Sequence, residues 1–178
     1  WEIYIPKKIF IKIFEKIYKL GKKYSLGYSG MHTLDILRLE KKFLHWGHDI
    51  TSENNPVEAG LSFTLSLNKK ENFIGREIIE KIINQQPKKS LQLFSLKDYF
   101  KPGKPLLLHD EPIFHKDKIV GNTTSSNFSF YYKKNLSFGY VKSGLETEDL
   151  RVEVEGKKYS IQLEKKPLHD PEAKLMRN

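Results

Sequence analysis

The densest group of side chains able to do chemistry is His45-Trp46-Gly47-His48-Asp49-Ile50. Two imidazoles at i and i+3, with a carboxylate one residue on, could ligate a metal ion if they converged. No third histidine supports them, and neither does a His-Glu-x-x-His helix. The plainer expectation is a hydrogen-bonded loop turning at Gly47, with Trp46 anchoring it to the core. Glu2 is the second candidate. It shares a face with Tyr4 in an alternating run, and a carboxylate beside aromatic surface suits a flat heterocycle bearing adjacent N–H donors. A solvated glutamate on an exposed face is the competing expectation. His109, His115 and His169 stand alone in turn-rich stretches and read as surface residues. The hydroxyls of residues 123–126 lack the Gly-Lys-Ser/Thr of a phosphate loop and read as a strand-connecting turn. No nucleophile, base and orienting group form a triad. The absence of cysteine removes disulfides, zinc thiolates and cysteine nucleophiles together.

The elements that must position these groups follow from periodicity. Trp1–Ile5 alternates as a strand that Pro6 ends. A helix is expected from Lys8 to Tyr24, with Ile9, Ile13, Ile17 and Leu20 on one stripe and lysines opposite. Such a basic amphipathic helix could lie on a membrane, but more often covers a sheet. Gly27 and Gly30 break the pattern. A second helix spans Met31 to Lys42, with Leu34, Leu37 and Leu39 as core. Leu61–Leu67 alternates as a strand, and Asn72–Asn84 reads as a helix with Ile74, Ile78, Ile79 and Ile82 inward. Beyond Lys89 the pattern becomes short apolar alternations: Leu91–Leu96, Pro112–Phe114, Ile119–Gly121, Leu136–Val141, Leu150–Val154 and Tyr159–Leu163. Glu155-Gly156 between the last two suggests a tight hairpin. The reading is α+β over residues 1–86, then a small all-β barrel or sandwich over 87–178.

Composition narrows the classes. Of the 178 residues 38% are hydrophobic, enough for a sizeable core, so the chain is globular rather than disordered. The net charge of +9 raises nucleic acid as a partner. Its lysines are spread over every segment, however, and no nucleic-acid motif accompanies them. No apolar run approaches the ~20 residues of a membrane helix. Opening on Trp1 inside a strand, the chain reads as a piece lacking its N-terminal portion, without a signal peptide.

Taken in order, several motifs resemble one family. Trp1-Glu2-Ile3-Tyr4-Ile5-Pro6 is similar to a strand of the T-protein of the glycine cleavage system, and Leu34-Asp35-Ile36-Leu37-Arg38-Leu39-Glu40 to its Asp-Ser-Leu-Arg-Leu-Glu helix. Pro56-Val57-Glu58-Ala59-Gly60-Leu61, Phe73-Ile74-Gly75-Arg76-Glu77 and Asn135–Val141 resemble later landmarks. His45-Trp46-Gly47-His48-Asp49 resembles the His-Trp-Gly-x-Asp of dimethylglycine and sarcosine dehydrogenases, where T-proteins usually carry Leu-Tyr-Gly. Asp170–Arg177 is similar to the end of those dehydrogenases. Leu34 stands where T-proteins place an arginine, a departure that weighs against simple T-protein activity.

The resemblance implies the end of an aminomethyltransferase-like folate domain followed by a C-terminal barrel. It implies tetrahydrofolate as a cofactor, with FAD in an upstream, covalently continuous domain. That domain would oxidise an N-methyl amine, and the folate would take the one-carbon unit as 5,10-methylenetetrahydrofolate. Glu2 matches the carboxylate that holds the pterin. Phe63 aligns with an aromatic residue lining the folate pocket, and Tyr4 shares the face of Glu2. His45, Trp46 and His48 mark the subfamily without an assigned role. The family's catalytic aspartate falls upstream of Trp1, so no catalytic residue is assigned and the isolated chain is expected to be inactive. Neither nucleic acid nor membrane is an expected partner. The expected compartment is the bacterial cytoplasm, or the mitochondrial matrix in a eukaryote. The alternatives are a stand-alone aminomethyltransferase and a basic binding module without chemistry.

Overall fold

A computed structural model describes residues 2–98 and 101–177, which fall into two compact units, Trp1–Thr33 and Leu34–Asn178. Trp1 lies outside the described residues. Glu2–Pro6 has no regular secondary structure and pairs with no strand among them, so the expected strand is not formed there. A strand exists only where a neighbour accepts its ladder of hydrogen bonds.

In the first unit, helix α1 (Phe10–Gly21) is flanked by short 3-10 turns at Lys7–Ile9 and Lys22–Tyr24. This helix has no buried residue, and Phe14 and Ile17 on its stripe are 43% and 42% exposed. Within the unit the stripe meets aromatics rather than a sheet. Tyr28 stacks on Tyr18, with ring centroids 4.5 Å apart and planes at 9°, and on Phe14 at 5.9 Å.

The second unit is built on six antiparallel strands: β1 (Lys89–Leu96), β2 (Pro112–His115), β3 (Lys118–Ser129), β4 (Lys134–Lys142), β5 (Leu150–Val154) and β6 (Lys157–Leu163). They close into a barrel in the order β1-β4-β3-β2-β5-β6, which removes every free sheet edge. Each strand contains one of the expected alternations. The Glu155-Gly156 hairpin is present too, with both residues at positive φ, 50° and 73°, as a primed two-residue turn requires. Alternation gives β1 two buried faces. Phe94 and Leu96 point into the barrel core with Ile113, Val152 and Ile161, while Leu91 and Leu93 join Leu136, Phe138 and Tyr140 of β4 in a second cluster. Helix α2 (Met31–Lys41) covers that second cluster with Ile36 and Leu39. Gly139 makes room for close strand packing, since a Cβ there would come 2.8 Å from the Asn122 carbonyl oxygen.

Several expectations are corrected. Leu34 and Leu37 are more than half exposed, and Ile36 takes the core position with Leu39 and Glu40, which share its helical face. Residues 61–67 form a 3-10 turn at Ser62–Thr64 and coil instead of a strand. The guanidinium of Arg76 collects the carbonyls of Leu67, Lys69 and Glu71 and holds the segment after that turn as a loop. Helix α3 is only Arg76–Ile82, because Gly75 enters it with φ of 87°. Ile74 and Ile78 are exposed, leaving Ile79 and Ile82 half-buried. Residues 123–126 lie inside β3, with a bulge between Thr123 and Ser125, rather than in a turn. A last short helix, α4, spans Lys174–Arg177.

Candidate functional site

The loop after α2 is held by its aspartate. The side chain of Asp49 is fully buried, and its two oxygens accept three hydrogen bonds. Oδ2 takes Arg38 Nη1 at 2.7 Å and the His45 amide at 2.8 Å, and Oδ1 takes the Thr124 hydroxyl at 2.6 Å. Arg38 reaches Asp49 from α2, donates through Nη2 to Ser125 at 2.8 Å, and rests its Nε on Asp35 at 3.2 Å. A charged pair this far from water is tolerated because both ions are multiply hydrogen-bonded, Asp49 accepting three bonds and Arg38 donating three. One turn of helix, one loop and the bulge of β3 are therefore locked to a common point. The hydroxyls expected in a turn act here as donors and acceptors for that lock.

The lock presents the rest of the loop outward. Trp46 is 66% exposed and does not anchor the chain to the core; Asp49 does. The His45 and His48 rings stack with centroids 4.5 Å apart. Among the described residues, no three His, Cys, Asp or Glu side chains are grouped to hold a metal ion. His109 and His169 are exposed, whereas His115 is half-buried with its Nε2 unpartnered.

Beside the loop, a polar cleft of about 590 Å³ is lined by His48, Lys89, His109, Asn122 and Tyr140. Burial, with the negative charges of Glu58 and Asp49 nearby, pushes the Tyr140 phenol up to about 12, and its hydroxyl has no hydrogen-bond partner among the described residues. The Lys89 ammonium lies over the Tyr140 ring, 4.6 Å from its centroid.

Glu2 and Tyr4 lie in the first unit. Both are exposed, Tyr4 by 86%, and Glu2 forms no hydrogen bond or ion pair among the described residues. Phe63 lies in the second unit, in the 3-10 turn, where it is 83% exposed. It lines a larger cleft of about 950 Å³ with Lys42, Phe43, Leu61, Lys165 and Pro167. Sequence reasoning did not single out Lys42, Arg38 or Asp49's buried role, since each depends on partners distant in the chain.

The geometry has counterparts among known proteins. Residues 1–69 match the GCVT N-terminal domain and residues 92–170 the glycine cleavage T-protein C-terminal barrel domain. Mitochondrial dimethylglycine dehydrogenase of Mus musculus is 35% identical over 172 residues, 94% of this chain. The chain belongs to the T-protein superfamily of aminomethyltransferases. An aminomethyltransferase from Synechocystis is 36% identical over 148 residues, 82% of this chain. Aminomethyltransferase T from Bartonella henselae shares the fold, with a TM-score of 0.77 at 21% identity, over 89% of this chain and 44% of that one. The chain spans 19% of the mouse dehydrogenase's length and 38% of the Synechocystis protein's. Enzymes of two architectures thus share this T-protein scaffold. No helix among the described residues is long and apolar enough to cross a membrane.

Proposed function

We propose that this chain is the tetrahydrofolate-binding, aminomethyltransferase-like part of an FAD-dependent dimethylglycine or sarcosine dehydrogenase-type enzyme. The observation that supports it best is the 35% identity to dimethylglycine dehydrogenase across 94% of the chain. The locked His45–Asp49 loop, with its dehydrogenase-like spelling, lies within that match.

Tetrahydrofolate would be held by Glu2, Tyr4 and Phe63. The residues suit it: the Glu2 carboxylate has no competing partner among the described residues, and both rings offer open faces. Glu2 would accept two parallel N–H bonds from the pterin edge, orienting it, while an aromatic face excludes water from the ring. When bound, tetrahydrofolate supplies the nitrogens that accept a one-carbon unit as 5,10-methylenetetrahydrofolate. FAD belongs to the remainder of such an enzyme, where it would oxidise the N-methyl amine, and no residue here is assigned to it.

The stand-alone aminomethyltransferase is the second reading, favoured by the 36% identity to the Synechocystis protein. Leu34, exposed in place of the arginine that T-proteins carry, weighs against it. The test is tetrahydrofolate affinity of the natural polypeptide carrying this chain, with Glu2→Gln beside the wild type. Loss of one charge-assisted bond should weaken binding about tenfold or more. Equal affinities would remove the pterin role of Glu2.

A further inference from the structure

We propose that the polar cleft beside the His45–Asp49 loop binds a small oxyanion, a carboxylate or a phosphate group, between the Tyr140 hydroxyl and the Lys89 ammonium. The proposal involves neither Glu2, Tyr4 nor Phe63 and does not rest on the folate reading. Tyr140 comes from β4 and lines the cleft. It is only 7% exposed and belongs to the second core cluster, yet its hydroxyl reaches no partner among the described residues. A buried phenol ordinarily has one, because a donor taken out of water without replacement is costly. The threonine hydroxyls lining the same cleft are engaged, Thr124 with Asp49 and Thr51 with Asn54. Tyr140 is the lining hydroxyl left to meet a ligand.

The second group fixes the sign of that ligand. Lys89, exposed on β1, has no carboxylate partner among the described residues, where its ammonium meets only the Tyr140 ring. A cation thus stands over the ring whose hydroxyl lacks an acceptor. The carboxylates lining the cleft are engaged or lie at its exposed side. Asp49 is met by Arg38, and Asp110 by His109 Nδ1 at 2.8 Å and the Asn122 amide at 3.3 Å. Glu53 is exposed. Glu58 opposes an anion at Tyr140, but it is not among the residues lining the cleft. A ligand atom that serves both groups must accept from a hydroxyl and carry negative charge, which selects an oxyanion over an amine or an apolar ring. The volume of about 590 Å³ admits a small molecule bearing such a group.

Equilibrium dialysis of labelled inorganic phosphate and labelled acetate against the natural polypeptide carrying this chain tests the site, in wild type, Tyr140→Phe, Lys89→Gln and Lys89→Arg. Tyr140→Phe and Lys89→Gln should each weaken binding of at least one probe about tenfold, while Lys89→Arg keeps most of the affinity. A loss confined to phosphate assigns a phosphate group, and one confined to acetate a carboxylate. The urea midpoint without ligand is read on the same variants. A hydroxyl with no partner in the fold contributes nothing to it, so Tyr140→Phe should unfold at the wild-type midpoint or above. A lowered midpoint would show that the hydroxyl is satisfied within the protein, and it overturns the proposal. So does the absence of saturable binding of either probe to the wild type. Binding that neither Tyr140→Phe nor Lys89→Gln alters belongs to another site and overturns it equally.

Discussion

Replacing Asp49 tests whether the loop is held by charge or only by shape. Its side chain is fully buried, so its partners are shielded from bulk water. Asp49→Ala leaves the Arg38 guanidinium, the His45 amide and the Thr124 hydroxyl without their acceptor. Arg38 keeps Asp35 and Ser125 but loses the 2.7 Å bond that faces its buried side. Removing one member of such a pair costs about 3–5 kcal/mol. Asp49→Asn is gentler. Its one remaining carbonyl oxygen can occupy the Oδ2 place and accept from both Arg38 and His45. The amide nitrogen then faces Thr124, whose hydroxyl can rotate to accept. Only the charge is lost, so the expected cost is about 1–2 kcal/mol, the excess of charge-assisted over neutral bonds. Urea unfolding followed by far-UV circular dichroism measures both, and a Thr124→Val double-mutant cycle isolates one bond. An Asp49→Ala cost below about 1 kcal/mol would show that the network does not lock the loop. Equal costs for Asn and Ala would show that charge is the whole of it.

Helix α2 offers a control on the corrected core. Leu39→Ala, at a fully buried position, should cost about 2–5 kcal/mol, whereas the more exposed Leu37→Ala should stay below about 1 kcal/mol. Equal effects in urea unfolding would mean that the helix is rotated from the face described. A pH dependence follows from Glu164. Burial alone would raise its pKa, but hydrogen bonds from Lys134, Ser95 and Gln162 outweigh burial and hold it below the ordinary 4.5. A depressed folded pKa stabilises the barrel above that ordinary value, and the stability is lost as pH falls through the folded pKa. Acid titration of Glu164→Gln should lose part of the wild type's slope below about pH 4.5; an unchanged slope would refute the coupling.

The barrel was legible because each of its strands carries its own signal. Alternation in Leu91–Leu96 or Leu150–Val154 records which residues face a core, and a core is present on that side. Leu61–Leu67 shows the limit of the same signal. Its Leu-Ser-Phe-Thr-Leu-Ser-Leu is as regular as any strand in the barrel, but among the described residues no strand pairs with it, and Arg76 binds the carbonyls at its end and just beyond. Alternation reports a possible pleat, while pairing depends on a partner that local sequence does not specify. The helix face was misassigned for a related reason. Leucines at 34, 37 and 39 look like core by composition, yet the buried set is Ile36, Leu39 and Glu40. Glu40 can be there because its carboxylate accepts from Ser129 at 2.6 Å, a partner 89 residues away. The aspartate lock was illegible for the same reason, its partners coming from α2 and from the bulge of β3.

These placements separate scaffold from specificity by physical means. The groups that build the lock and the barrel are buried, and altering them is penalised in folding before any ligand is met. Trp46, His48 and Leu34 are exposed, and among the described residues none of them is needed to complete the core. Surface changes of this kind usually alter stability by no more than about 0.5 kcal/mol. An exposed tryptophan on a loop pinned by a buried ion pair therefore has its backbone position fixed without contributing to the core that fixes it. A scaffold shared by a dehydrogenase and an aminomethyltransferase can keep one fold and differ at such positions, since the lock decouples what they present from what holds them. Substitutions at such exposed positions should accordingly change what the surface presents while leaving stability unchanged.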